Sequence, residues 1–265
     1  MNELTARFHK LHRSGCFVCP NPWDAGAARL LEQIGFRALA TTSSGFAWSL
    51  GKRDNHATLG EVLAHLRVMS AAVTVPVSAD FEHAFADDSE GVARNVTAAV
   101  QTGIAGLSVE DSTGDAAHPL FDFDLAVERV RAARKAIDRS GTGVLLTARC
   151  EHFVGIELPE AIRRLQAYAA AGADCLFAPG LRKIAEIEQV VSAVAPKPVN
   201  VLVGSDFTTV AELAAIGVRR ISVGGALART AWGAFLDAAT EIAEKGTFTA
   251  VARAVPGAEF DKRFA

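Results

Sequence analysis

The chain has 265 residues, half of them hydrophobic, and a formal net charge of -3. That balance excludes the basic field that a nucleic-acid partner needs. Length and apolar content support one large core, and α/β barrels of this size commonly form one domain, so residues 1–265 are read as a single unit.

In chain order, "ELTARFHKLHRS" reads as an N-terminal helix, and short apolar runs then alternate with amphipathic segments. The runs of strand length are "CFVCP", "FRALAT", "VPVSAD", "AGLSVED", "VLLTAR", "DCLFAP", "PVNVLV" and "RRISVGG". Between them lie helical patterns from "DAGAARLLEQIG" to "TTVAELAAIG", several closed by a glycine suited to a helix C-terminal cap. Eight β-then-α units without a composition break predict an α/β fold of the (β/α)8 TIM-barrel type. A last helix, "ALARTAWGAFLDAATEIAEKG", precedes a short tail.

No charged-then-apolar leader opens the chain and no apolar run is long enough to span a bilayer, so a cytoplasmic protein without a membrane partner is expected. Cys16, Cys19, Cys150 and Cys175 are too sparse for a disulfide scaffold. Cys16 and Cys19 form a C-x-x-C, but Phe17 and Val18 between them favour a strand, and no second pair completes a zinc site.

In a barrel, chemistry sits at the C-terminal ends of the strands. Asp80 and Glu82 follow strand 3, two apart, so on extended chain both face the same side. Their repulsion calls for a shared proton, a cationic side chain or a metal, and with Glu110 after strand 4 the oxygen-only set selects a hard ion such as Mg²⁺. Helix capping or loop solvation explains one such acid, while three on adjacent strand ends favour a site. Arg149 closes "VLLTAR" and points into this cluster, where it can grip a carboxylate or phosphonate or form a structural ion pair. In "TTSSGFAWSLG", the backbone N–H groups of Ser44, Gly45 and Phe46 can face an anion, although a plain turn accounts for the stretch equally well.

The order "SSGFAWSLGKRDN", "SADFE", "VED" and "TARCE" along one barrel resembles the isocitrate lyase/phosphoenolpyruvate mutase superfamily, in its phosphoenolpyruvate mutase-like and carboxyvinyl-carboxyphosphonate phosphorylmutase-like branch. The resemblance implies that Ser44, Gly45 and Phe46 hold a substrate carboxylate and oxo group, and that Asp54 stands near the metal waters and the reacting centre. It further implies Asp80 as a direct Mg²⁺ ligand, Glu82 and Glu110 holding the ion largely through water, and Arg149, Asn200 and Arg229 binding substrate. Asp54, Glu110 and Arg149 are then the catalytic candidates. The same resemblance implies Mg²⁺, with Mn²⁺ as a substitute, and a homo-oligomer, a dimer of dimers, whose C-terminal helix is swapped between subunits.

Departures from the family pattern are informative. The glycines of "DTGYG" are missing from "FEHAFA", and the gating loop with its acid/base Cys is replaced by "EDSTGDAAHPLFDFD", where His118 and Asp115 could donate a proton, although a solvated loop histidine is the favoured reading. The resemblance thus implies a Mg²⁺-dependent lyase that cleaves a C–C bond next to an α-oxo or 2-hydroxy carboxylate through a metal-stabilised enolate. Oxaloacetate decarboxylase-like and 2-methylisocitrate or dimethylmalate lyase-like activities are the forms it would take. Its alternative is a P–C bond enzyme of the phosphonopyruvate hydrolase or phosphonomutase type. From another class comes a degenerate barrel acting as a binding protein. A Schiff-base aldolase fits poorly, since Lys183 and Lys197 do not close strands, and a phosphate site at "VGGA" rests on two glycines alone.

Overall fold

The computed structural model describes residues 2–151 and 155–265. Helix α1 (Glu3–Arg13) starts where the Asn2 side chain accepts from the Thr5 N–H. Eight strands follow: β1 (Phe17–Val18), β2 (Leu39–Ala40), β3 (Val77–Asp80), β4 (Gly106–Glu110), β5 (Leu145–Arg149), β6 (Cys175–Phe177), β7 (Val199–Leu202) and β8 (Arg220–Ser222). All pair in parallel, in the order β1-β8-β7-β6-β5-β4-β3-β2, which is that of a (β/α)8 barrel. Among the described residues β1 and β2 share no ladder. One asparagine bridges that seam: Asn21 donates to the Thr41 carbonyl at 2.8 Å and accepts from the Val223 and Gly224 N–H groups at 2.8 and 2.9 Å.

The helices are α2 (Ala25–Ile34), α3 (Ser43–Ser49), α4 (Leu59–Ala72), α5 (Ser89–Val100), α6 (Phe123–Ser140), α7 (Leu158–Ala170), α8 (Ile184–Val194), α9 (Val210–Ala215), α10 (Ala226–Lys245) and α11 (Gly257–Phe264). Thr58 with Glu61, and Thr209 with Glu212, form reciprocal capping boxes that start α4 and α9. The strands carry apolar side chains outward against these helices, as continuous apolar runs buried on both faces should.

Inside the sheet the packing changes with depth. At the bottom α1 inserts Phe8, fully buried, against Phe17 and Leu145. A Cβ on Gly106 would lie 2.6 Å from the Phe8 ring, so the plug requires glycine there. Above the plug the inward positions are Ser78, Ser108, Asn200 and Ser222, where barrels usually place bulky branched residues. A cavity therefore reaches down into the strands.

Two helices were not expected from the sequence. The loop after β2 forms α3, because Thr42 caps it by accepting from the Gly45 N–H. The tail forms α11, which docks on α2: Arg29 donates to the Phe264 carbonyl at 3.2 Å and lies over the Phe264 ring, and Gln33 donates to the Arg263 carbonyl. Helix α10 buries only Ala228 along its 20 residues, and Trp232, Phe235 and Leu236 stand exposed. All four cysteines are free, and no helix among the described residues is long and apolar enough to cross a membrane.

Candidate active site

A cavity of about 320 Å³ opens at the C-terminal ends of the strands, lined at its mouth by Ser44, Trp48, Asp54, Asp80, Arg149 and Arg229. Asp80 ends β3, and its position is fixed twice: its N–H donates to Thr41 Oγ1 at 2.9 Å, and its Oδ2 accepts from the Ser43 N–H at 3.0 Å. Arg149, across the mouth, meets three acids, with Asp80 Oδ1 at 3.5 Å, Glu110 Oε2 at 3.1 Å and Glu151 Oε2 at 2.5 Å. Burial opposes its charge, but Glu110, Glu151 and Asp80 outweigh that and raise its pKa. Glu151 is in turn held by Asp111, whose Oδ1 accepts the Glu151 N–H while its Oδ2 accepts from Tyr168 and Arg164.

The acids outnumber their cation. Burial, then Asp80 and Glu110, push Glu82 up to about 8. Burial, together with Asp80 and Glu151, pushes Glu110 up to about 8 against the pull of Arg149. Asp54 is exposed at the rim, where partial desolvation and the Asp80 charge raise its pKa. Glu82 Oε2 and Glu151 Oε1 are buried without a hydrogen-bond partner. Five carboxylates face one guanidinium, an all-oxygen set that fits a divalent cation. Among the described residues no three His, Cys, Asp or Glu side chains converge as direct ligands of an ion.

Glu82 does not reach this cluster by strand alternation. The chain leaves β3 after Asp80 and turns, with φ of 49° at Glu82, 58° at Ala84 and 53° at Phe85. Left-handed backbone costs non-glycine residues roughly 1–2 kcal/mol each, and no glycine relieves it here. Two side chains hold the turn instead. Asn95 of α5 donates to the Ala84 and Phe85 carbonyls, and Arg129 of α6 donates to those of His83, Ala86 and Asp87. Arg129 is 1% exposed and stacks over the Phe121 ring, 3.9 Å from its centroid.

The other expected residues divide. Asn200 lines the cavity from β7, donating to Ser222 Oγ, and Arg229 lines its rim from α10. Ser44 reaches the cavity, but Gly45 and Phe46 do not: the N–H groups of both serve the α3 cap at Thr42, and Phe46 stacks on His65. Gly45 is instead a packing residue, since a Cβ there would lie 2.9 Å from Trp23 and 3.2 Å from Ala228. His118 and Asp115 pair with each other at 3.5 Å, exposed and away from the cavity. Lys183 pairs with Glu186, and Lys197 donates to the Ala173 carbonyl, so neither enters the site. Arg220 was missed; the inward register of "RRISVGG" was the available signal for it.

The family model of phosphoenolpyruvate phosphomutase matches residues 8–243. A solved candidate lyase/mutase of Burkholderia cenocepacia is 47% identical with a TM-score of 0.96, over 98% of this chain and 96% of that one. An oxaloacetate decarboxylase of Bradyrhizobium diazoefficiens is 32% identical over 68% of this chain and 64% of its own length. The 2-methylisocitrate lyase of Escherichia coli is 31% identical over 64% of this chain and 60% of its own length.

Proposed function

The chain belongs to the phosphoenolpyruvate phosphomutase family, and from that premise we propose a Mg²⁺-dependent lyase that cleaves a C–C bond next to an α-oxo or 2-hydroxy carboxylate. The observation that carries the reading is the surplus of buried carboxylates around Arg149 at the mouth of a polar cavity. Asp80, Glu82 and Glu110 are the residues that would hold the cation, and Mn²⁺ is the substitute it would accept. When bound, the ion supplies a Lewis acid that lowers the cost of negative charge on substrate oxygens.

The chain's own groups do the rest. Arg149 offers fixed N–H donors to the substrate carboxylate, and its three acids keep it charged and in place. Ser44 and Asn200 orient the substrate from the α3 and β7 sides. From an α-oxo diacid the breaking C–C bond leaves its electron pair in an enolate of the oxo acid and the lost carboxylate departs as carbon dioxide; from a 2-hydroxy acid the hydroxyl gives up its proton, its carbon becomes the carbonyl of the oxo acid, and the pair passes to the enolate of the other carboxylate fragment. Asp54, at the rim with a raised pKa, is placed to return a proton to the enolate carbon.

Helix α10 supports an oligomer in which this helix is exchanged. An eighth barrel helix should bury an apolar stripe, yet Trp232, Phe235 and Leu236 find no cover in their own subunit. Light scattering checks this reading, with a tetramer expected and a monomer contradicting it.

The activity is tested with a panel of α-oxo and 2-hydroxy di- and tricarboxylates, oxaloacetate and 2-methylisocitrate first. Turnover that needs Mg²⁺ and stops with EDTA supports the lyase. Turnover of phosphonopyruvate alone moves the assignment to P–C chemistry, and a folded chain inert toward the whole panel makes it a binding protein.

A further inference from the structure

Among the described residues three arginines are buried: Arg129, Arg164 and Arg220. Arg164 pairs with Asp111 and Glu160, and Arg129 spends its donors on the carbonyls of His83, Ala86 and Asp87. Arg220 is different. It is 5% exposed, forms no ion pair among the described residues, and lines the floor of the active-site cavity.

Its bonded partners are all neutral. Nε donates to Asn200 Oδ1 at 2.9 Å, Nη2 donates to Thr147 Oγ1 at 3.0 Å, and Nη1 lies 3.5 Å from His12 Nε2. Burial, then the Arg220 charge, hold His12 down to about 3, so it adds no second proton there. A guanidinium carries five N–H donors, and three contacts leave two for the cavity. A buried charge without a counter-charge is costly, and its retention in a cavity calls for an anion to complete it. The wall above is built for one: Asn200, Ser222, Ser108 and Ser78 are short and polar where branched apolar residues would close the barrel.

We infer that Arg220, with Asn200 and the serines above it, forms a carboxylate seat at the cavity floor, which takes the far carboxylate of a small diacid whose near end meets Arg149. The seat makes the site selective for dianionic substrates over monocarboxylates. Its role in turnover rests on the lyase reading, whereas the seat as an anion site does not.

Calorimetric titration of malonate into the full chain in EDTA isolates the seat from the metal and from catalysis. Saturable binding is expected, weakened about 10- to 100-fold in Arg220→Met. The Ser108→Val, Ser222→Val double variant leaves Arg220 and its links to Thr147 and His12 untouched and should weaken malonate by a similar factor, because it closes the shaft. Absence of binding by the wild type, or unchanged binding in either variant, overturns the seat; if Arg220→Met does not fold, the serine pair decides alone. Failure of the lyase reading shows separately, as intact malonate binding in a chain that turns over no oxo acid.

Discussion

The β3–β5 side of the cavity gathers Asp80, Glu82, Glu110 and Glu151 around Arg149, while the β7–β8 side carries Arg220 and Arg229 with no acid among its lining residues. The acidic side is short of positive charge, and the basic side is short of negative charge. Neither deficit can be filled by the other, because both sets are fixed on separate strands. A divalent cation on one side and a dianionic substrate reaching the other remove both deficits together. Charge separation across one small cavity thus defines the ligand more narrowly than either cluster does.

The sharpest way to break this comparison is to remove the acid that both lines the cavity and pairs with Arg149. Asp80→Ala should lower turnover about 100- to 1,000-fold or more while circular dichroism and melting stay near wild type. Retained turnover would remove the metal site from the account.

Next comes the loop that brings Glu82 to the acidic side. Arg129→Met leaves three carbonyls without donors and should destabilise the fold by about 2–4 kcal/mol, measured by urea unfolding. Adding Ala84→Gly, which relaxes a backbone φ of 58°, should recover part of that loss and part of the Mg²⁺ response. No recovery would mean that the loop is not under strain.

Gly45→Ala sharpens the other boundary, since α3 forms the rim between the two sides and packs on the start of α10. Overpacking against Thr42, Trp23 and Ala228 should cost about 1–3 kcal/mol, read as a lower urea midpoint. An unchanged midpoint would show that α3 has room to shift.

The smallest effect is a pH dependence. Glu82 and Glu110 are raised from 4.5 to about 8, so the folded, metal-free chain binds more protons than the unfolded one between these values. Their contribution is fully present below about pH 4.5 and is lost as pH rises through about 8. Mg²⁺ competes with those protons, so it should raise the melting temperature more at pH 8.5 than at pH 6. An equal rise at both values would separate the ion from these two acids.

Legibility in the sequence followed the range of the interactions. The eight strands were readable because buried parallel strands are continuous apolar runs, and Asp80, Glu110 and Arg149 because each directly ends one. Glu82 was placed beside Asp80 for the wrong reason: a left-handed turn, not strand alternation, brings it in, and its support comes from Arg129, far along the chain. The α3 helix was hidden because Ser-Ser-Gly has low helix propensity and only the Thr42 cap offsets it. Arg220 was obscured by its neighbour Arg219, which reaches outward to the Gly15 carbonyl; one residue's difference in register separates a surface arginine from a cavity floor.

The central claim, that the acid cluster exists to hold a cation that acts on an oxo acid, is tested most directly by titrating Mg²⁺ into the metal-free chain at pH 8.5 with oxalate, an enolate mimic, present. One ion bound per chain is predicted, with affinity falling at least tenfold in Glu82→Gln and binding lost in Asp80→Ala. Absence of Mg²⁺ binding by the wild type, or equal binding by Asp80→Ala, would contradict it.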